Sequence, residues 1–339
     1  MSKDVSIDNI YKLDGRVPLL KAIPFGIQHI LAMFVANLTP IVIIAGAATF
    51  VGRTGKITDY EMAMLIQSSM FIAGIATLIQ LYPVWKIGSR LPVVMGVSFT
   101  FVGSLTFIAS TYGIGTMMGA VIVGGIVEGL LGLGYKYWKG LIPPIVPACV
   151  VTTIGFSLLP VGVNSFGGGY GAENFANPQV LTVGFVTLFA CILFSIFAKG
   201  TLKPLNVLFG LVVGYVLAFF MGMVDFSSIE KTISQSGYIA FPNFLPYDVV
   251  FNPATIFSVV IVFLVSAAET IGDTAAIASE GLKRQIKDEE VSGSLACDGF
   301  LSSLSGAFAC SPITSFSQNV GLINMTKVVN RFTIMTGAA

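Results

Sequence analysis

IFSVVIVFLVSAAETIGDTAA, residues 256–276, decides how the rest of the chain is read. Residues 256–268 carry no charge, and two carboxylates, Glu269 and Asp273, then follow within one helical turn. A soluble domain carries about a quarter charged residues. This chain is 55% hydrophobic and 10% charged, with mean hydropathy +0.87. A water-facing shell cannot be built from that composition, so the lipid bilayer is the expected surroundings. The net charge of +1 offers no basic field, and nucleic acid is not an expected partner.

Working outward from 256–276, apolar runs long enough to cross a bilayer, about 20 residues each, fall near 20–47, 61–82, 114–134, 140–160, 178–198, 205–224, 256–278 and 291–309. Two more segments, 93–111 (VVMGVSFTFVGSLTFIAST) and 311–330 (SPITSFSQNVGLINMTKVVN), mix Ser, Thr and Gly with β-branched residues. That mixture suits a short extended stretch leading into a half-helix. The expectation is an all-α polytopic protein of ten spans, with short strands in broken spans three and ten. Placing the N-terminus in the cytoplasm puts all of the eighteen Lys and Arg residues inside except Arg53, Lys56 and Lys231, as the positive-inside rule requires of a multi-pass protein of the cell inner membrane. The polar opening MSKDVSIDNIYKLDGRVPLLK lacks the form of a cleaved signal. Cys149, Cys191, Cys297 and Cys310 show no metal or redox spacing, lie within apolar segments and are expected to be buried thiols.

The two broken segments match each other: Ser98-Phe99-Thr100 precedes Val102-Gly103, and Ser315-Phe316-Ser317 precedes Val320-Gly321. As spans three and ten they are offset by seven spans, and an odd number of crossings inverts the second copy. That is the seven-plus-seven inverted repeat of a secondary transporter; two serine- and glycine-rich helices in close packing would produce the same short match. A seven-span unit implies fourteen spans, so the chain, ending at RFTIMTGAA, reads as truncated after span ten.

Four acids fall within spans: Glu128, Glu269, Asp273 and Asp298. Each costs at least about 2.5 kcal/mol at a helix centre unless paired or facing water, which makes each a functional suspect. Glu128 lies within a few turns of Lys136 and Lys139 and is expected to pair or snorkel there, in a structural role. Glu269 and Asp273, four apart, project from one helix face. Like charges that close resist joint ionisation, and such a pair can take up and release a proton. His29, the one histidine, sits in span one with Gln28 beside it and Asn37 two turns on. Its role is coupling or structural, through hydrogen bonds between helices rather than a metal.

Gln318 and Asn319 follow the extended SFS at a half-helix N-terminus, where backbone N–H groups are free. A flat purine dione presents N–H donors and C=O acceptors around its edge and two π faces. Glu269 can accept from N–H groups, the Gln318 carboxamide can both donate and accept, and Phe99 or Phe316 can stack on the ring. No phosphate-binding, serine-hydrolase or zinc-protease motif is present, and an enzyme is not expected.

At these residues the chain resembles the nucleobase–ascorbate transporters, in the xanthine and uric acid permease branch. The tenth-span signature of Gln or Glu, Asn, any residue, Gly, four more residues and Thr is met by Gln318-Asn319-Val320-Gly321 and Thr326. QHILAMF (28–34), the SF pair of span three, ETIGD (269–273) and CDG (297–299) extend the likeness along the whole chain. Gln318 together with Asp273 is similar to the purine branch; uracil permeases carry Glu and His there. The resemblance implies that Glu269 and Gln318 hold the base, with the Phe99 and Ser317 backbones and the Phe316 ring completing the pocket. Asp273, Asp298, Asn319 and His29 then support it and tie it to the cation. It also implies a core domain from 1–135 and 251–339, a gate domain from 136–250, and a homodimer formed through the gate. No cofactor is expected, only a co-transported cation, H⁺ in preference to Na⁺. The alternatives are a uracil or other pyrimidine permease of the same family, and an anion exchanger or channel on the same architecture.

Overall fold

The computed structural model describes the chain except for residues 1–4, 51–56, 142, 144, 170, 171, 173, 200, 201, 203, 204, 225, 226, 228–230, 232, 233 and 235–240. Lys3, Arg53, Lys56 and Lys203, which the charge-based orientation uses, lie outside the described residues.

Helix α1, Leu19–Ala47, is about 43 Å long at 1.5 Å per residue, enough to cross a hydrocarbon core of about 30 Å. Its buried stripe of Ala22, Gly26, His29, Met33, Asn37, Pro40 and Ile44 repeats every three to four residues. The opposite face exposes Leu20, Ile27, Leu31 and Phe34. A helix apolar on its outer face and partly polar on its inner one has the pattern of a membrane span. Helix α2, Asp59–Leu81, opens with a capping box in which Glu61 N–H donates to Thr58 Oγ1 and Thr58 N–H donates to Glu61 Oε2.

Strand β1, Met95–Val97, runs through a 3₁₀ turn, Phe99–Phe101, into α3, Val102–Thr111. Then follow α4 (Ile114–Leu133), α5 (Ile145–Ser157), α6 (Leu159–Phe166), α7 (Pro178–Phe197) and α8 (Asn206–Phe220). Helix α9, Pro253–Ala276, continues as a π-helical turn, Ile277–Gly281. The chain closes with α10 (Asp288–Ala307), strand β2 (Ile313–Ser315), α11 (Ser317–Thr326) and α12 (Arg331–Ala338). The Asn-Pro pairs at 177–178 and 252–253 start α7 and α9: each Asn side chain accepts from a backbone N–H of the first turn, and Pro needs no acceptor there. Among the described residues, five helices are long and apolar enough to cross a membrane. Cys297 and Cys310 are buried as expected, whereas Cys149 is exposed and Cys191 half-buried, because α5 and α7 carry apolar side chains on open faces.

The two strands pair antiparallel in the register Met95↔Ser315, Gly96↔Thr314, Val97↔Ile313. Phe316 N–H donates to Val94 O and Ser98 N–H to Pro312 O, extending the ladder at both ends. A two-stranded ribbon has two open edges, which lipid could not satisfy. Here side chains close both. Met95 N–H donates to Thr77 Oγ1 and Val97 N–H to Asn37 Oδ1, while Ile313 N–H donates to Ser302 Oγ and Ser315 N–H to Asp298 Oδ2. All six strand residues are buried.

Helices α4 and α10 meet along a seam of small residues. A Cβ added at Gly125 would stand 2.5 Å from Gly299 O, and one at Gly299 would stand 2.1 Å from Gly129 N. Such close approach of backbones is how membrane helices pack when no hydrophobic force separates them from lipid. Asn330 ties the start of α12 to the polar N-terminal segment, its Nδ2 donating to the carbonyls of Asn9, Lys12 and Gly15.

Candidate functional site

The strand pair ends at two strand-to-helix turns, and α9 passes beside both. Glu269 and Asp273 lie on its buried-side face, one helical turn apart. Thr100 Oγ1, in the first turn, donates to Glu269 Oε2 at 2.6 Å. From the second turn, Ser315 Oγ donates to Asp273 Oδ2 at 2.9 Å. Ser317 Oγ stands 2.9 and 3.0 Å from the two Asp273 oxygens and 3.5 Å from Glu269 Oε1. Val97, Ser98, Phe99, Glu269, Ser317 and Gln318 belong to the lining of a cavity of about 310 Å³, at the small end of the range for ligand pockets. Phe316 also borders it, buried, with its ring over Gly96, where an added Cβ would stand 2.5 Å from Phe316 Cδ2. Glycine is therefore required at 96 if the ring is to stay.

Gln318 is exposed and its side chain has no hydrogen-bond partner among the described residues, so its carboxamide is free for a ligand. No side chain caps the start of α11, which leaves its first backbone N–H groups unclaimed by side chains. Asp298 lies behind the cavity, fully buried on α10. It accepts from Gln80 Nε2, from Thr270 Oγ1 and from Ser315 N–H. Asn319 Nδ2 stands 3.2 Å from His29 Nδ1 and donates to His29 O at 3.3 Å, joining α11 to α1. Asn319 Oδ1 is buried without a partner among the described residues. No Lys or Arg pairs with Glu269, Asp273 or Asp298 among the described residues; hydroxyls, the Gln80 amide and the Ser315 backbone N–H do so.

Glu128 departs from the sequence expectation. It is 1% exposed, and neither carboxyl oxygen has a hydrogen-bond partner among the described residues. Lys139 pairs with Asp288 instead. The reason is helix geometry: Glu128 faces into the glycine seam with α10, whereas α4 ends at Leu133 and the chain turns away at Gly134 before either lysine. Sequence reasoning passed over Gln80, Thr100, Thr270 and Ser315. A polar residue inside an apolar run marks Gln80 and Thr270, and a hydroxyl next to the span-three SF pair marks Thr100.

The family model described as "Permease family" matches residues 20–339. A putative purine permease of Clostridium perfringens is 34% identical over 97% of this chain and 70% of its own length. The xanthine permease of Bacillus subtilis is 32% identical, over 94% of this chain and 70% of its own length. The uric acid permease PucK of Bacillus subtilis is also 32% identical, over 91% of this chain and 69% of its own. The chain thus spans about 70% of the length of these relatives. In fold it is similar to the transmembrane domain of a cyanobacterium bicarbonate transporter, BicA, with TM-score 0.63 and 13% identity over 94% of this chain and 80% of that one. Its relatives are permeases rather than enzymes, and its apolar helices make it a multi-pass membrane protein. By the match along 20–339 and the identity to these permeases, the chain belongs to the Permease family, the nucleobase–ascorbate transporters.

Proposed function

We propose that the protein is a secondary active symporter that imports a purine base, xanthine or uric acid, together with H⁺ by alternating access. The observation that carries this reading is that Glu269 and Gln318, with Phe99 and Phe316, border one cavity at the ends of the strand pair. A purine dione needs an acceptor for its N–H groups, a group that donates to its carbonyls and an aromatic surface; those residues supply all three. Asp273, Asp298, Asn319 and His29 sit behind this layer, bonded to the elements that carry it, and serve coupling and support. Among the described residues the cavity is bordered by a carboxylate and by no Lys or Arg, which suits an N–H-bearing base better than a donor-free inorganic anion.

Residues 1–135 and 251–339 form the core domain and 136–250 the gate, through which two copies associate as a homodimer in the cell inner membrane, with the N-terminus in the cytoplasm. The paired strands are the meeting point of two inverted repeats. Uptake of labelled xanthine, with a protonophore or with sodium replaced, tests the coupling. Loss with protonophore alone is expected; loss only on sodium removal would assign the other cation, and displacement by uracil in preference to xanthine would transfer the site to a pyrimidine.

A further inference from the structure

We propose that Thr100 is a positioning residue for Glu269, which fixes one carboxylate oxygen so that the other, Oε1, is the acceptor offered to the ligand. This rests on the reading that Glu269 holds the base. Thr100 is the middle residue of the 3₁₀ turn Phe99–Phe101, closed by Val102 N–H donating to Phe99 O. The strand before that turn is anchored on one edge to β2 and on the other to Asn37. The hydroxyl thus projects from a fixed backbone, and the β-branch restricts its side-chain rotation. At 2.6 Å, its bond to Glu269 Oε2 lies in the range of a strong O–H···O⁻ contact.

The two Glu269 oxygens are consequently unlike. Ser317, the other hydroxyl near the carboxylate, is 3.5 Å from Oε1 but 2.9 Å from Asp273 Oδ2. A hydroxyl has one proton to give, and the shorter contact takes it. Oε1 remains uncommitted on a side chain that borders the cavity. Oε1 is thus the more open of the two oxygens, and the ligand is read at this edge through one N–H to Oε1, while Thr100 holds one lone pair of Oε2 and sets its direction.

The test is uptake inhibition measured with the full chain in membranes, corrected for inserted protein. Thr100→Val keeps the shape and removes the donor; Thr100→Ala is the second variant, and Thr100→Ser retains the hydroxyl. Xanthine and its singly N-methylated analogues are the probes. Thr100→Val and Thr100→Ala are expected to raise the inhibition constant for xanthine about tenfold, with the maximal rate within about twofold, and Thr100→Ser to restore it. In wild type one N-methyl position is expected to lose most affinity, and that penalty should shrink in Thr100→Val, because the released carboxylate can turn its second oxygen to another N–H. Constants and methyl penalties unchanged in Thr100→Val and Thr100→Ala would overturn the positioning role. Glu269→Gln separates the two ideas: wild-type affinity there defeats the base-binding reading itself, whereas a large loss there with an unaffected Thr100→Val defeats only this inference.

Discussion

The two strand-to-helix turns share a backbone plan and differ in chemistry. Each has a three-residue buried strand followed by a short helix, and each strand's outer edge is closed by side chains from neighbouring helices. The first turn, Ser98 to Phe101, reaches one acid: Thr100 bonds Glu269, and α3 continues apolar with Val102, Leu105 and Ile108 buried. The second turn, Ser315 to Asn319, reaches three, through Ser315 N–H to Asp298, Ser315 and Ser317 to Asp273, and the longer Ser317 contact to Glu269. A common backbone can thus carry a division of labour, in which one side orients a ligand-facing carboxylate and the other links it to the buried acids behind.

The strongest way to break this comparison is to alter the one acid both turns touch. Glu269→Gln replaces an acceptor oxygen with a donor group and removes the charge. High-affinity uptake should fall on the order of 100-fold with the protein still inserted; a wild-type affinity would remove Glu269 from base binding. Asp273 is bonded only from the second turn, so its loss should sharpen the contrast. Asp273→Asn keeps hydrogen-bonding capacity and loses the ability to titrate. Accumulation against a gradient should drop about tenfold or more while equilibrium binding changes by less than about threefold; proton-driven accumulation equal to wild type would refute a coupling role. Glu128 bonds neither turn, and its carboxyl has no hydrogen-bond partner to lose among the described residues. Glu128→Gln is of similar volume, and uptake and membrane level should stay within about twofold; a loss comparable to that of Asp273→Asn would make Glu128 part of the coupling path.

Much of the helical layout was legible because apolar runs mark their own length. The expected spans at 20–47, 178–198 and 256–278 meet α1, α7 and α9 within a few residues. The broken segments were legible from their Ser, Thr and Gly content, and the strands fall inside them. What stayed hidden is pairwise. Nothing in the order of residues says that Asn37 closes the edge at Val97, or that Gln80 reaches Asp298 across 218 positions. Glu128 was misplaced for a related reason: proximity in sequence to Lys136 and Lys139 counts only while the helix continues, and α4 ends at Leu133, before either lysine. Thr100 was overlooked because its partner lies 169 residues away. The span-three SF pair drew attention to a ring and a backbone rather than to the hydroxyl beside them.

The central claim, that the second turn reads the edge of a purine, is tested most directly at Gln318. Its carboxamide both donates and accepts, whereas an ionised Glu only accepts. Inhibition constants for xanthine and for purines altered one edge position at a time should be compared between wild type and Gln318→Glu. For xanthine, a carbonyl left facing a carboxylate costs about 1 to 3 kcal/mol, roughly 5-fold to 150-fold in affinity, and analogues bearing a donor at that edge should lose less. A uniform loss across the series would contradict base reading by Gln318 and leave it a role in shaping α11.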